Sequence, residues 1–96
     1  MGRLDHGWER LPEGRRTPQP PSAYQRRLYY DTVTGSEEAL RFLLDRVGAD
    51  RVVLGSDWPF VPWNPSPGGW VQGLKSLTQD EKDKILWKNL EALLKL

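Results

Sequence analysis

Apolar residues recur along this chain at two different periods. Leu28-Tyr29-Tyr30-Asp31-Thr32-Val33 is rich in aromatic and β-branched residues and predicts a strand, which Thr34-Gly35 ends. From Ser36 the period changes. Ala39, Leu40, Leu43, Leu44 and Val47 recur at helical spacing and define one apolar face, with Arg41, Asp45 and Arg46 mostly on the other. Ser36 is a good N-cap, Glu37 and Glu38 place negative charge at the positive helix end, and Gly48 ends the helix. Val52-Val53-Leu54 follows at once as a continuous apolar run, which suits a strand covered on both faces. Strand, helix and strand in this order predict a βαβ unit with parallel strands and a right-handed crossover.

The remaining chain divides around that unit. Residues 1–27 form a loop-rich segment. A short helical turn over residues 2–9 and another over 22–27 are separated by Pro12, Gly14, Pro18, Pro20 and Pro21. Residues 28–55 are the βαβ unit, and residues 56–69 are a proline- and glycine-rich loop lying over the end of the second strand. Residues 70–96 hold the C-terminal helices. A short helix is expected over Trp70 to Lys75, and Thr78-Gln79-Asp80-Glu81 is a capping box. Ile85, Leu86, Leu90, Leu93 and Leu94 then form an apolar stripe on which Asn89 falls. A buried asparagine needs hydrogen-bond partners, so Asn89 is expected to pin a backbone segment.

Composition narrows the function classes. The chain has 96 residues, enough for one small domain, and its net charge of +1 gives no global attraction to nucleic acid or to anionic membrane. Arg15-Arg16 and Arg26-Arg27 are too short to make a nucleic-acid patch and read as solvated pairs. No apolar run approaches the ~20 residues of a membrane span, and the absence of cysteine excludes thiolate metal sites and fits a cytoplasmic location. All the tryptophans except Trp8 lie after the second strand, at Trp58, Trp63, Trp70 and Trp87, so apolar surface is concentrated there.

In parallel sheets the loops beyond the carboxyl ends of the strands carry the chemistry. Asp57 sits at that position after Val52-Val53-Leu54-Gly55-Ser56 and is the first candidate functional residue, although a turn-forming aspartate before Trp58-Pro59 would look the same. Asp31 ends the first strand and reads as a residue that holds loops together. His6 is the only histidine and reads as a loop residue, because one histidine does not make a metal site.

Five segments together carry a resemblance. They are Gly2-Arg3-Leu4-Asp5-His6-Gly7, Tyr29-Tyr30-Asp31-Thr32, Gly48-Ala49-Asp50-Arg51-Val52, Gly55-Ser56-Asp57-Trp58-Pro59-Phe60 and Lys88-Asn89-Leu90. In this order they resemble the C-terminal part of amidohydrolase-related enzymes of the aminocarboxymuconate-semialdehyde decarboxylase type, over nearly the whole chain. Trp58 departs from the tyrosine more usual at its position. The resemblance implies the C-terminal portion of a metal-dependent (β/α)8 TIM barrel, incomplete as a barrel, with residues 28–33 as the seventh strand and 51–55 as the eighth. It implies that Asp57 is a metal ligand and a catalytic residue that assists metal-bound water. It also implies that Arg3 binds a substrate carboxylate, in some members across a subunit interface. The implied cofactor is a divalent metal, zinc above all, and the implied substrate is a small-molecule carboxylate.

The family's His-x-His pair and its other active-site histidines have no counterpart here, and a barrel of this kind needs roughly 250 residues. The expectation is therefore a C-terminal fragment of a decarboxylase (a carbon–carbon lyase), inactive alone, with a homo-oligomer or a complementing N-terminal fragment as partner. Hydrolysis of an amide or lactone is the near alternative. A non-catalytic interaction module, using the Trp-rich loop and the final helix, is the reading from a different class.

Overall fold

Two short parallel strands and the helix between them form the centre of the molecule. The computed structural model describes residues 2–60 and 64–96. In chain order the elements are α1 (Gly2–Arg10), β1 (Tyr30–Asp31), α2 (Glu37–Val47), β2 (Val52–Val53), α3 (Pro67–Gln72), α4 (Gln79–Asp83) and α5 (Asn89–Leu94). Tight 3-10 turns occupy Pro12–Gly14, Pro21–Arg27 and Ala49–Arg51, and a π turn over Lys84–Lys88 joins α4 to α5 without a break.

β1 and β2 pair in parallel, with Tyr30 opposite Val52 and Asp31 opposite Val53. Both are shorter than the apolar runs suggest. Leu28 is drawn back to the Pro21–Arg27 turn, where its amide donates a hydrogen bond to the Gln25 carbonyl, and the Arg51 amide closes on the Gly48 carbonyl. Side chains alternate across the strands. Tyr30, Val52 and Leu54 pack into the core, whereas Asp31 and Val53 point to the opposite, open face of the sheet.

The core is one cluster built from Leu40, Leu44 and Val47 of α2, Val52 of β2, Val71, Leu74 and Leu77 around α3, and Ile85 of the π turn. Burying each such side chain contributes on the order of 1.5–3 kcal/mol. α2 begins as its sequence predicts: Ser36 Oγ accepts a hydrogen bond from the Ala39 amide at 3.1 Å. Gly48 ends it at φ 91°, and a Cβ there would lie 2.6 Å from Asp50 Oδ1, so only glycine fits. Ser36→Ala should lower the unfolding free energy by about 1 kcal/mol, read as a shift in the urea midpoint by circular dichroism.

Polar contacts tie α2 to the C-terminal helices. Arg41 forks onto Glu81, with Nη1 donating to Oε1 and Nη2 to Oε2, both at 2.8 Å, and it also reaches Asp45 and the Ser76 carbonyl. Glu37 Oε2 accepts from the Ser76 amide. The expected capping box is present, with Thr78 and Glu81 bonded reciprocally. The apolar stripe beyond it does not stay buried to the end. Ile85 is fully enclosed, but Leu93 and Leu94 are exposed, because the π turn shifts the phase of the residues that follow it.

The short turn expected over residues 2–9 is a full helix, α1, with no buried residue. It is held by polar contacts instead. Asp5 accepts from the Ser22 amide, Trp8 Nε1 donates to the Thr17 carbonyl, and the Arg15 guanidinium lies 4.0 Å from the Trp8 ring centre. Hydrogen bonds from the Ser22 hydroxyl and amide hold the Asp5 carboxyl below its ordinary range. The helix expected over Trp70 to Lys75 is α3, which starts earlier, at Pro67. Pro67 fits there because a first-turn residue needs no amide hydrogen. Part of the loop over 56–69, including Trp63, lies outside the described residues. Among the described residues no helix is long and apolar enough to cross a membrane.

Candidate site at the strand ends

The carboxyl ends of β1 and β2 open into a cavity of about 380 Å³. Thr32, Thr34, Ser56, Asp57 and Asn64 supply its polar lining, and Trp70 supplies an apolar wall. Asp57 therefore lies where the strand pattern places it, on the loop side of the sheet and at the edge of a concave surface. Its carboxylate is exposed and its backbone adopts φ 67°. Aspartate is among the few side chains that tolerate this left-handed region, and residues held there cluster at working sites.

The backbone around Asp57 is fixed on both sides. Thr32 Oγ1 donates to the Gly55 carbonyl and accepts from the Gly55 amide, at 3.2 and 3.1 Å. Beyond it, the Asn64 amide donates to the Ser56 carbonyl at 2.8 Å, and Ser56 Oγ accepts from the Trp58 amide at 3.2 Å. The Trp58–Pro59 peptide is cis, and the Phe60 amide closes the turn onto the Asp57 carbonyl at 2.9 Å. Asp31 approaches from the open face of the sheet. A Cβ on Gly55 would meet Asp31 Cβ at 3.0 Å and Oδ2 at 3.2 Å, so the two strand ends approach closely here and a larger residue would have to displace Asp31 slightly. Asp31 Oδ1 accepts from the Val33 amide, which makes it a turn-holding residue.

The other candidates lie elsewhere. Arg3 and His6 are exposed on α1 and are not among the residues that line the cavity. Asn89 is at the opposite end of β2 and is buried. Its amide nitrogen donates to the Ala49 carbonyl at 2.6 Å and to the Val52 carbonyl at 2.7 Å, so it pins the backbone entering the strand. Sequence reasoning passed over Thr32, because a threonine in a strand is unremarkable until the pairing register sets it against Gly55. Among the described residues no group of three or more His, Cys, Asp or Glu side chains is placed to hold a metal. Asp57 is a hard oxygen donor suited to a divalent ion, yet one carboxylate does not make a site, so these residues by themselves do not fit a resident metal.

A βαβ unit with a polar cavity at its strand ends is the local arrangement of two units of a parallel barrel, a class in which chemistry sits at the carboxyl-terminal rim. The comparisons with known proteins agree. A family model described as "Amidohydrolase" matches residues 4–96, and the chain belongs to that family. It is 31% identical over 91 residues to 2-amino-3-carboxymuconate-6-semialdehyde decarboxylase of Dictyostelium discoideum, an alignment covering 93% of this chain and 25% of that protein. The protein of the same name from Caenorhabditis elegans is 30% identical over 95 residues, covering 97% of this chain and 24% of the relative. The chain thus spans about a quarter of the length of these curated relatives.

Among solved structures, 2,6-dihydroxybenzoate decarboxylase from Rhizobium superposes with a TM-score of 0.76 at 25% identity, covering 99% of this chain and 30% of that one. A dihydroxybenzoic acid decarboxylase from Polaromonas sp. JS666, with bound manganese and the inhibitor 2-nitroresorcinol, gives 0.69 at 28% identity, covering 100% and 30%. The fold is accordingly the C-terminal portion of a (β/α)8 barrel, with β1 and β2 as its last two strands and an incomplete barrel on their own.

Proposed function

We propose that this chain supplies the strand-end carboxylate of a metal-dependent decarboxylase, a carbon–carbon lyase acting on a small carboxylate. The observation that carries the proposal is Asp57, held at the rim of the strand-end cavity in a chain whose named relatives are decarboxylases. Those names also favour decarboxylation over hydrolysis. In this reading Asp57 contributes one oxygen ligand to a divalent metal, zinc or the manganese seen in the Polaromonas structure, and the remaining ligands come from further polypeptide. The metal supplies Lewis acidity when bound. Arg3, exposed on α1, offers a guanidinium that forks onto a substrate carboxylate, and its absence from the cavity lining fits a role in a site on another copy.

The open face of the sheet supports a partner. Leu28, Tyr29 and Val33 are exposed beside β1, and Trp58 and Phe60 are exposed beyond β2. Two paired strands rarely stand alone in water. Further polypeptide, either another copy or a chain carrying the other strands, is proposed to cover this face.

The test is a chimera in which residues 4–96 replace the matching quarter of the Dictyostelium discoideum decarboxylase, with metal content measured by elemental analysis and turnover by loss of substrate. The expected result is a metal-loaded, active chimera, in which Asp57→Asn lowers metal content by roughly tenfold or more and abolishes turnover. A chimera whose Asp57→Asn form keeps both its metal and its turnover would overturn the assignment.

A further inference from the structure

We infer that Thr32 is a positioning residue for Asp57. The two residues are far apart in sequence, and pairing of the strands brings Thr32 to the residue that launches the Asp57 loop. Thr32 is only 4% exposed, and its hydroxyl bonds in both senses: the hydrogen goes to the Gly55 carbonyl and a lone pair takes the Gly55 amide. Ladder pairing of β2 stops at Val53, so Gly55 has no strand partner of its own. One side chain therefore satisfies both backbone groups of the residue two before Asp57.

Among the described residues, the hydrogen bonds of Ser56, Phe60 and Asn64 run within the loop itself. Those bonds shape the loop but do not fix it relative to the sheet. The Thr32 hydroxyl does so, with Asp31 packed against Gly55 from the open face. Thr32 also lines the cavity. Water can enter there and satisfy Gly55 if the hydroxyl is removed, so the loss is expected to be local. The loop should change its setting while the core, which Thr32 does not hold, stays intact.

The inference rests on the proposed role of Asp57 only for its consequence in catalysis, and its test needs no metal. The full chain, labelled with nitrogen-15, is compared by NMR with Thr32→Val and Thr32→Ser. In Thr32→Val the Gly55 amide should exchange roughly fivefold to tenfold faster. The amide shifts of Gly55 to Trp58 should move, and so should the Asp57 three-bond coupling that reports φ, while the signals of Leu40, Val47 and Ile85 stay in place. Thr32→Ser keeps the hydroxyl and should restore the wild-type pattern.

Unchanged Gly55 and Asp57 signals in Thr32→Val would overturn the inference. Should that variant fail to fold, Thr32→Ser and Thr32→Cys decide, because they are close in size and differ in hydrogen-bonding strength. Identical Asp57 signals in those two would overturn it as well. The metal content of the chimera reports separately on Asp57 as a ligand, so failure of one reading leaves the other standing.

Discussion

Asn89→Asp should cost about 4 kcal/mol of stability at neutral pH, close to the whole stability of a small domain. The wild-type amide gives its two hydrogens to the Ala49 and Val52 carbonyls, in a setting where the side chain is 7% exposed. The aspartate is the same size but has no hydrogen to give when ionised. It would aim a negative charge at two carbonyl oxygens, one of which, that of Ala49, keeps only its bond from the Val52 amide. Protonation returns one donor, so the folded state raises the pKa of the new carboxyl. The part of the penalty that comes from ionisation is therefore absent below the ordinary aspartate range, near pH 4, and develops as pH rises through it. Urea unfolding at pH 7 and at pH 3.5 should show the gap to wild type narrowing in acid. Asn89→Leu should be destabilised at both pH values with a constant gap. A variant pair that behaves alike at the two pH values would mean that the amide is not what holds β2.

Glu81→Gln carries the second large effect. The Arg41 fork, aided by the Thr78 amide, pulls the Glu81 carboxyl from an ordinary 4.5 down to about 2. A lowered folded-state pKa gives stability that is complete above about pH 4.5 and is lost as pH falls toward 2. Taken at face value the shift corresponds to about 3 kcal/mol. Solvent reaches both side chains, 29% exposed for Arg41 and 19% for Glu81, which reduces the contribution to about 2 kcal/mol. Glu81→Gln should lose that amount at pH 7, and its stability should fall less steeply than wild type between pH 4.5 and 2. Parallel pH profiles for the two proteins would show that the fork does not link α2 to α4.

The βαβ unit is legible in the sequence because each of its parts is specified locally. The residues from Leu28 to Val33 carry β-branched and aromatic side chains, Ser36 and Gly48 bracket a helix with one apolar face, and Val52 opens a second strand. What is not legible depends on distant partners. The strands shrink to two residues each because their flanks are drawn into turns at Gln25 and Gly48, which strand propensity does not register. α1 contains two glycines and buries nothing. Its stability comes from Ser22, Thr17 and Arg15, and no residue inside the helix signals them. The π turn leaves no periodic trace, so the leucine stripe predicts burial for Leu93 and Leu94 that the structure does not give. At the candidate site the place of Asp57 follows from strand direction alone. The role of Thr32 is set by register, which exists only once the two strands have met.

The opposite ends of the β1–β2 pair are secured by unlike chemistry. At the amino end, the buried Asn89 amide and an Arg26–Asp50 fork, 3.0 Å to each oxygen, clasp the segment that leads into β2. At the carboxyl end a single neutral hydroxyl meets a loop whose residues 57–60 are all exposed. The fold and the candidate rim thus draw on separate sets of residues. A library randomised at Asp57, Trp58 and Phe60 should yield mostly folded members, whereas one randomised at Asp50, Val52 and Asn89 should yield few. The rim can accordingly be varied while the scaffold beneath it is left untouched.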